Sequence, residues 1–378
     1  MRVALVTAHY PPKLSGHADF CGHLAQALVD EALDVSVVVL GAEDVADDLE
    51  KVDVAAAPFP GTWSDMTEAV KTIEATDPDV ICLQFEAHAF RLKQRPHLLA
   101  LRLRCRGHRV VMTYHELWKP GRFGHAAKAI LLNSAHRVVA FSHWHAEGIA
   151  RFRKIGTPAD IIACGSNIVR PVTADRRLMR ARFDIPDDVV LFTFFGFVMI
   201  EHKVEELLTA LSMVREQGID ARLQLIGRFD PEVDGYHQRL VNLVGELRLG
   251  DAVTWHGRVM DDADVARLIQ VSDAGVLPYD TGVGENNGAF AALAHYGIPT
   301  VTTRGERSNV MEQVDVARFT EPTAEGLAEG MLDLARDTAG RELLSKRVAE
   351  WASRRSWKLA GLAYAELLRG TEEHIEVI

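Results

Sequence analysis

The chain alternates short apolar runs with amphipathic stretches, and does so twice, which restricts its fold more than any other feature. "RVALVTAHYPP" carries Val3, Leu5 and Val6 and breaks at Pro11, the pattern of a strand buried on both faces of a parallel sheet. A helix is expected next, from about Asp19 to Glu31, with Phe20, Leu24, Ala27 and Leu28 on one stripe. The runs "VSVVVLG", "VICLQFE", "RVVMTYHE", "RVVAFS" and "DIIACGS" read as further strands. A polar joint follows, "RPVTADRRLMRARFDIPDD", in which Pro171 and Pro186 bracket a charged segment. Beyond it "VVLFTFFGF", "ARLQLIG", "AVTWHG", "AGVLPY" and "PTVTT" repeat the pattern, with helical segments between them.

Strands that alternate with helices form βαβ units, hence parallel sheets with helices on both faces. The expected fold class is α/β: two Rossmann-like doubly wound domains, residues 1–170 and 171–355, with residues 356–378 as a last helix and tail. Ligands of such sheets bind beyond the carboxyl ends of the strands, so a two-domain version is expected to place its site in the cleft between the domains. A length of 378 residues fits this division, since domains commonly hold ~150–200 residues.

Composition narrows the class of function. With 48% hydrophobic and 25% charged residues the chain is of the soluble globular type. No run reaches the ~18 apolar residues of a membrane span, and "MRVALVTAHY" is too short, and too soon followed by Pro11 and Pro12, for a signal peptide; a cytoplasmic location is expected. The cysteines at 21, 82, 105 and 164 form no CxxC pair, which argues against disulfides or zinc and reads as small buried apolar residues. A net charge of −11 opposes nucleic-acid binding. Residues 1–170 hold 19 basic and 19 acidic side chains, the remainder 23 and 34, so the second half carries the whole excess. An acidic second half gives no hint of membrane docking, and the partner molecule is expected to be soluble.

Attention therefore falls on the strand exits. After the first strand Gly16 precedes a helix, with Asp19 available as its cap; the glycine either admits a phosphate to backbone N–H groups or simply makes a turn. "LQFEAHAF" places Gln84 and Glu86 at one exit and "TYHELW" places His115 and Glu116 at another. An apolar strand has no need of such residues, and several in succession point to a binding edge. In the second half Gly196 follows a strand and Lys203 starts a helix, either to meet a phosphate or as a solvated surface lysine.

"GVGENNGAFAALAHYGIPTVTT" is glycine loop, helix and strand. Between Gly282 and Gly288 the loop has little bulk, so the helix's first amides are open to an anion, with Glu285, Asn286 and Asn287 placed to hydrogen-bond sugar hydroxyls or phosphate oxygens. "GVGENNG" has one residue too many for the GxGxxG dinucleotide fingerprint and lies in the wrong βα turn. "YHELWKP" lacks the second histidine of a zinc-protease helix, and "HWH" at 143–145 has no carboxylate or cysteine at ligand spacing; no metal or cofactor is expected. The run from Arg91 to Arg109 holds seven basic residues and no acid, and reads as a solvated helix face rather than a lipid contact.

Over nearly its whole length the chain resembles a family-4 (group 1) glycosyltransferase of the GT-B fold. "YPPKLSGHADFCGHLAQAL", "PDVICLQFE", "VVMTYHEL", "HRVVAFSHW", "CGSNI", "FFGFVMIEHK", "LQLIG", "VTWHGRV" and the glycine-loop stretch follow the family's order, and "SWKLAGLAYAELL" resembles its final helix, which crosses back to the first domain. The resemblance implies retaining, metal-independent transfer of a sugar from a nucleotide diphosphate sugar to an acceptor hydroxyl. It puts Gly16 near the diphosphate or acceptor, His115 near the transferred sugar, and Arg258, Val259 and the loop Glu285, Asn286, Asn287, Gly288 and Ala289 against the base and ribose. Joined with the strand exits, this gives His115, Gly16 and Glu86 as candidate catalytic residues. Gly196 and Lys203 join the donor side, and His17, Asp19, Gln84 and Glu116 the acceptor side. The chain departs from the family at Gly284 and Ala292, where two glutamates are usual, and at Met199 and His202, where an arginine and a lysine are usual. Such departures leave two alternatives: a GT-B enzyme that makes another bond, as an epimerase or pseudo-glycosyl coupling enzyme, or a silent nucleotide-sugar-binding protein.

Overall fold

The computed structural model describes residues 1–13, 15–42, 52–90, 95–115, 122–170, 175–257, 261–370 and 373–377, with 122 and 123 by backbone alone. They form two compact units, Met1–Asn167 with Arg355–Ile378, and Ile168–Arg354.

The first unit begins with β1 (Arg2–Thr7), α1 (Gly16–Asp30), β2 (Asp34–Leu40), β3 (Asp53–Ala57), α2 (Trp63–Ala75) and β4 (Val80–Phe85). It continues with α3 (Leu99–Cys105), β5 (Val110–Tyr114), α4 (Arg122–Ser134), β6 (Arg137–Ala140), α5 (His143–Ala150) and β7 (Asp160–Ile162). The second unit holds α6 (Arg176–Arg182), β8 (Val190–Phe195), α7 (Val204–Glu216), β9 (Ala221–Ile226), α8 (Gly235–Glu246), β10 (Val253–His256), α9 (Asp262–Gln270) and β11 (Ala274–Leu277). It closes with α10 (Gly288–His295), β12 (Thr300–Thr303), α11 (Asn309–Gln313), β13 (Arg318–Thr320), α12 (Ala324–Arg336) and α13 (Thr338–Ser353). The chain then returns to the first unit with α14 (Trp357–Arg369) and β14 (Glu376–Val377).

Every strand pair among the described residues is parallel, in the orders β14-β7-β6-β5-β4-β1-β2-β3 and β10-β9-β8-β11-β12-β13. Both sheets reverse direction of growth beside their first strand, between β1 and β4 and between β8 and β11. A crevice opens at such a switch point because the flanking connections leave on opposite faces. Three strands escape the sequence reading. β3 is "DVAAA", with one β-branched residue, and β13 and β14 are too short to show a pattern.

The first helix also differs from expectation. It starts at Gly16, because the Ser15 side chain accepts the Ala18 N–H at 3.1 Å and so caps it; Asp19 lies exposed in the first turn instead. The basic run is corrected as well. Arg102 donates to Thr67, Arg104 to the carbonyls of Asn133 and Ser134, Arg106 grips Glu74 at 2.6 and 2.8 Å, and Arg109 donates to the Leu367 carbonyl at the end of α14. These are tethers between elements rather than a merely solvated face, and Arg91 and Lys93 lie outside the described residues. Cys21 and Cys82 are buried as expected, whereas Cys105 is exposed at the end of α3.

The chain end is welded into the first unit by polar contacts. Gly361 of α14 lies so close to α1 that a Cβ there would come within 2.9 Å of Ala27. Trp357 donates to the Ser166 carbonyl at 2.8 Å, and Tyr364 meets Thr113 of β5 at 2.9 Å. Asp160 on β7 is fully buried; it pairs with Arg137 and accepts the Ile375 N–H at 3.0 Å, while Arg137 also donates to the Glu373 carbonyl. Removing one partner of such a pair strands the other charge in the interior. Asp160→Ala is therefore expected to destabilise the first unit by about 3–5 kcal/mol, read as a lower midpoint of its unfolding transition in urea.

Candidate functional site

At the β1/β4 switch point of the first unit the strand exits carry a compact polar cluster. Gln84 is fully buried, and its Oε1 lies 2.9 Å from Nε2 of His115, the residue that leaves β5. The His115 N–H donates to the Phe85 carbonyl, extending the ladder by one residue and fixing the ring's origin. Around that ring stand His17, Phe20 and Phe141, all edge-on, with centroids 4.3, 4.7 and 5.1 Å away. Thr7, the last residue of β1, gives its only hydroxyl proton to the His9 carbonyl. It also lies 3.0 Å from His17 Nε2, while Nδ1 of His17 is buried without a partner among the described residues.

Burial among apolar rings and backbone disfavours imidazolium. It pushes His17 down to about 4 and holds His115 well below the ordinary histidine value. Both rings are neutral at pH 7. Glu86 is half-buried and accepts the N–H groups of His88, at 2.8 Å, and Ala89, so it caps the turn after β4 and is not free for chemistry. Gln84 is equally unsuited to touch an acceptor, because it lies inside the core against Cys82 and His115. Gly16 and Asp19 are exposed on the first turn of α1, and a Cβ on Gly16 would meet nothing within 4 Å. Glu116 lies outside the described residues.

In the second unit the β8/β11 switch point gathers the glycine loop. Gly196 leaves β8 with φ +136°, a conformation that glycine alone adopts with ease. A Cβ there would lie 3.8 Å from both Ala289 and the Tyr279 hydroxyl. The loop's glycines have different tasks. Gly282, at φ +73°, packs its α-carbon against Gly305, Thr303 and Ser308, where a Cβ would meet atoms at 2.9 Å. Gly288 is the first residue of α10, and a Cβ there would meet nothing. Asn287 accepts the Phe290 N–H at 2.8 Å and so caps α10, and it also hydrogen-bonds the Tyr279 hydroxyl. That use, and the 5% exposure of Glu285, correct the expectation that both present side chains to a ligand; Asn286 is half-buried. Gly288 and Ala289 form the first turn at the positive end of the helix, where the missing side chain of Gly288 leaves open space.

Lys203 is the N-cap residue of α7, in a left-handed conformation, and its Nζ lies 2.9 Å from Asp280 and 3.0 Å from Glu206. The hydrogen bond to Asp280 raises its pKa, and its charge is matched by two carboxylates rather than held open for an anion. Asp280, Thr7 and Tyr279 are the residues that the sequence reading missed. Each sits at a strand exit like Gln84 and His115, and that position was the available signal. Arg258 and Val259 lie outside the described residues. No group of three or more His, Cys, Asp or Glu able to hold a metal ion occurs among the described residues. A cavity of about 600 Å³ in the second unit, lined by Arg318, Asp333, Arg336 and Arg347 among others, lies at the start of β13 and hence at the far edge of the sheet from this loop.

The buried histidines set a pH dependence. Between about pH 6.5 and 4 the unfolded chain binds more protons at His17 than the folded chain does, so stability rises with pH across that window and levels off above it. Urea midpoints of the first unit measured over this range should show the slope, and His17→Gln should reduce it while leaving the share that His115 contributes.

Two family models match the chain: "Glycosyltransferase Family 4" over residues 14–170 and "Glycosyl transferases group 1" over residues 190–337. No curated protein matches. Among solved structures, sucrose-phosphate synthase from Thermosynechococcus elongatus is 20% identical over 98% of each chain, with a TM-score of 0.78. HepE of Anabaena, in complex with UDP and glucose, is 17% identical over 98% of this chain and 100% of its own, with a TM-score of 0.75. At these identities the likeness shows the fold, which is GT-B. With one glycosyltransferase model on each unit, together spanning most of its length, the chain belongs to the family-4, group 1 glycosyltransferases and is an enzyme of glycosyl transfer.

Proposed function

We propose that this enzyme transfers a sugar from a nucleoside diphosphate to an acceptor hydroxyl, with retention of anomeric configuration and without a metal ion. The observation that carries the reading is the uncovered start of α10 beside Gly196, at the β8/β11 switch point. In a retaining transfer the glycosyl bond lengthens before the acceptor closes, so positive charge grows on the sugar while negative charge collects on the departing diphosphate. Fixed amide dipoles aimed at that oxygen charge stabilise it without reorganisation. Amides also bind phosphate oxygens directly, whereas carboxylates need a cation as intermediary, which favours metal independence. Neutral histidine in the first unit suits the other partner, since it holds a sugar hydroxyl without repelling an oxocarbenium-like centre. The usual second glutamate has no counterpart at Ala292, which is 1% exposed in the core.

UDP-glucose is the first donor to test, because HepE is solved with UDP and glucose and also with UDP-glucose. Slow release of UDP from donor alone, with NMR showing the product in the donor's anomeric configuration, is expected of a retaining transferase. Epimerised donor would favour a different bond. Absence of both binding and turnover across uridine, guanosine and adenosine diphosphate sugars would overturn the proposal. Gly288→Val should leave the melting temperature unchanged, since its side chain meets open space, yet abolish UDP binding in calorimetry.

Lys203 is paired with Asp280 and Glu206, so its part in donor binding is tested separately. If Lys203 swings to the diphosphate, Lys203→Ala should weaken UDP roughly 10–100-fold and uridine hardly at all, as for loss of a charged hydrogen bond of ~1.5–3 kcal/mol. Asp280→Asn should tighten UDP by releasing the lysine. Equal effects on UDP and uridine would remove Lys203 from the donor contacts.

A further inference from the structure

Within β4, "VICLQF", Gln84 is the one polar side chain, and it is fully buried. Its burial has a use if its amide acts on the neighbouring imidazole. The Oε1 atom, 2.9 Å from His115 Nε2, can only accept, so the proton of that contact belongs to the histidine. The amide is held in this orientation because its Nε2 donates to Cys82 Sγ at 3.1 Å on the same strand. Strand pairing sets the distance: Gln84 stands opposite Thr113 and Phe85 opposite Tyr114, so the residue after Tyr114 emerges beside the Gln84 side chain. Three aromatic edges, from His17, Phe20 and Phe141, close off rotation of the His115 ring. Its Nδ1 has no hydrogen-bond partner among the described residues.

We propose that Gln84 is a positioning residue that locks His115 in the tautomer with its proton on Nε2, keeping Nδ1 as an acceptor for a hydroxyl of the transferred sugar. The sugar contact rests on the function proposed above; the tautomer does not. A glutamine suits this task and a glutamate would not. Both accept from Nε2, but a carboxylate would also stabilise imidazolium, and a doubly protonated ring has no acceptor and carries a charge that opposes the one forming on the sugar. The other titratable groups facing the ring are His17 from α1 and His145 from α5, both of which disfavour a charge on it, and Glu86 acts on His17.

The test combines two variants with two readouts. Nitrogen-15 NMR of the His115 ring in the ligand-free protein, assigned with His115→Asn, should show a single Nε2–H tautomer. In Gln84→Leu the ring should become a mixture of tautomers. In the nearly isosteric Gln84→Glu it should take its second proton at a pH at least one unit higher than in the wild type. With UDP-glucose hydrolysis as the activity probe, Gln84→Leu should lower kcat about tenfold at constant KM. Gln84→Glu should lose activity on the acid side and regain it as pH rises, while the wild type stays flat between pH 6 and 8. A ring signature in Gln84→Leu identical to the wild type, or a wild-type titration in Gln84→Glu, would overturn the tautomer assignment. A locked tautomer with unaltered kcat in both variants would overturn the sugar contact. Failure of the wild type to turn over any donor would count against the proposed function instead.

Discussion

Everything at the candidate site depends on the uniform direction of the strands. Because each sheet pairs only parallel neighbours, all of a unit's carboxyl ends emerge at one edge, and side chains separated by scores of residues become neighbours there. Thr7, Gln84 and His115 come from three strands adjacent in space, β1, β4 and β5, and an antiparallel partner among them would have sent one to the opposite edge. The same geometry brings Gly196 and the start of α10 together in the second unit. Register then places individual atoms, which is why a one-residue slip between β4 and β5 would carry Gln84 to the other face of the sheet.

The two units handle charge in different ways. At the strand exits of the first, polar side chains are taken out of water and kept neutral: the histidines do not readily take a second proton, and the hydroxyl of Thr7 and the amide of Gln84 satisfy one nitrogen of each. In the second, a helix start without a side chain at Gly288 presents the backbone dipole, and the cation Lys203 is tied to Asp280 and Glu206. Fixed dipoles cost little desolvation beside a low-dielectric core, whereas an unpaired buried ammonium would be expensive. The apolar Phe197, Met199 and Ile200 that follow Gly196 continue this economy of charge, being exposed at the exit of β8.

Most of the architecture was legible in the sequence because buried parallel strands are nearly continuous apolar runs. The alternation gave both doubly wound units and eleven strand positions, and order of motifs pointed to the family. What escaped had no periodicity to show. β3 is mostly alanine, β13 spans three residues, and β14 has its place through Asp160 and Arg137 rather than through its own pattern. At the site, residue types and strand exits singled out His115, Gln84, Lys203 and Gly288, but not what each of them touches. Gln84 reads the same whether it faces solvent or a histidine, and Lys203 the same whether free or paired. Such choices are made by neighbours that are distant along the chain, Cys82 excepted, and become visible only in three dimensions. The cap at Ser15 was local and readable, since serine two residues before His17 is a common helix start.

The return of residues 355–378 to the first unit bears on the order in which the molecule can be assembled during synthesis. The second unit is one continuous stretch, Ile168–Arg354, and can close as soon as it has left the ribosome. The first unit, though translated earlier, lacks α14 and β14 until residues 355–378 arrive; until then Thr113 has no Tyr364, and the buried Arg137–Asp160 pair has no Glu373 or Ile375 backbone. Completion of the two units is therefore expected to run against the usual amino-to-carboxyl sequence, the earlier-made sheet keeping its α1 side uncovered until α14 is made.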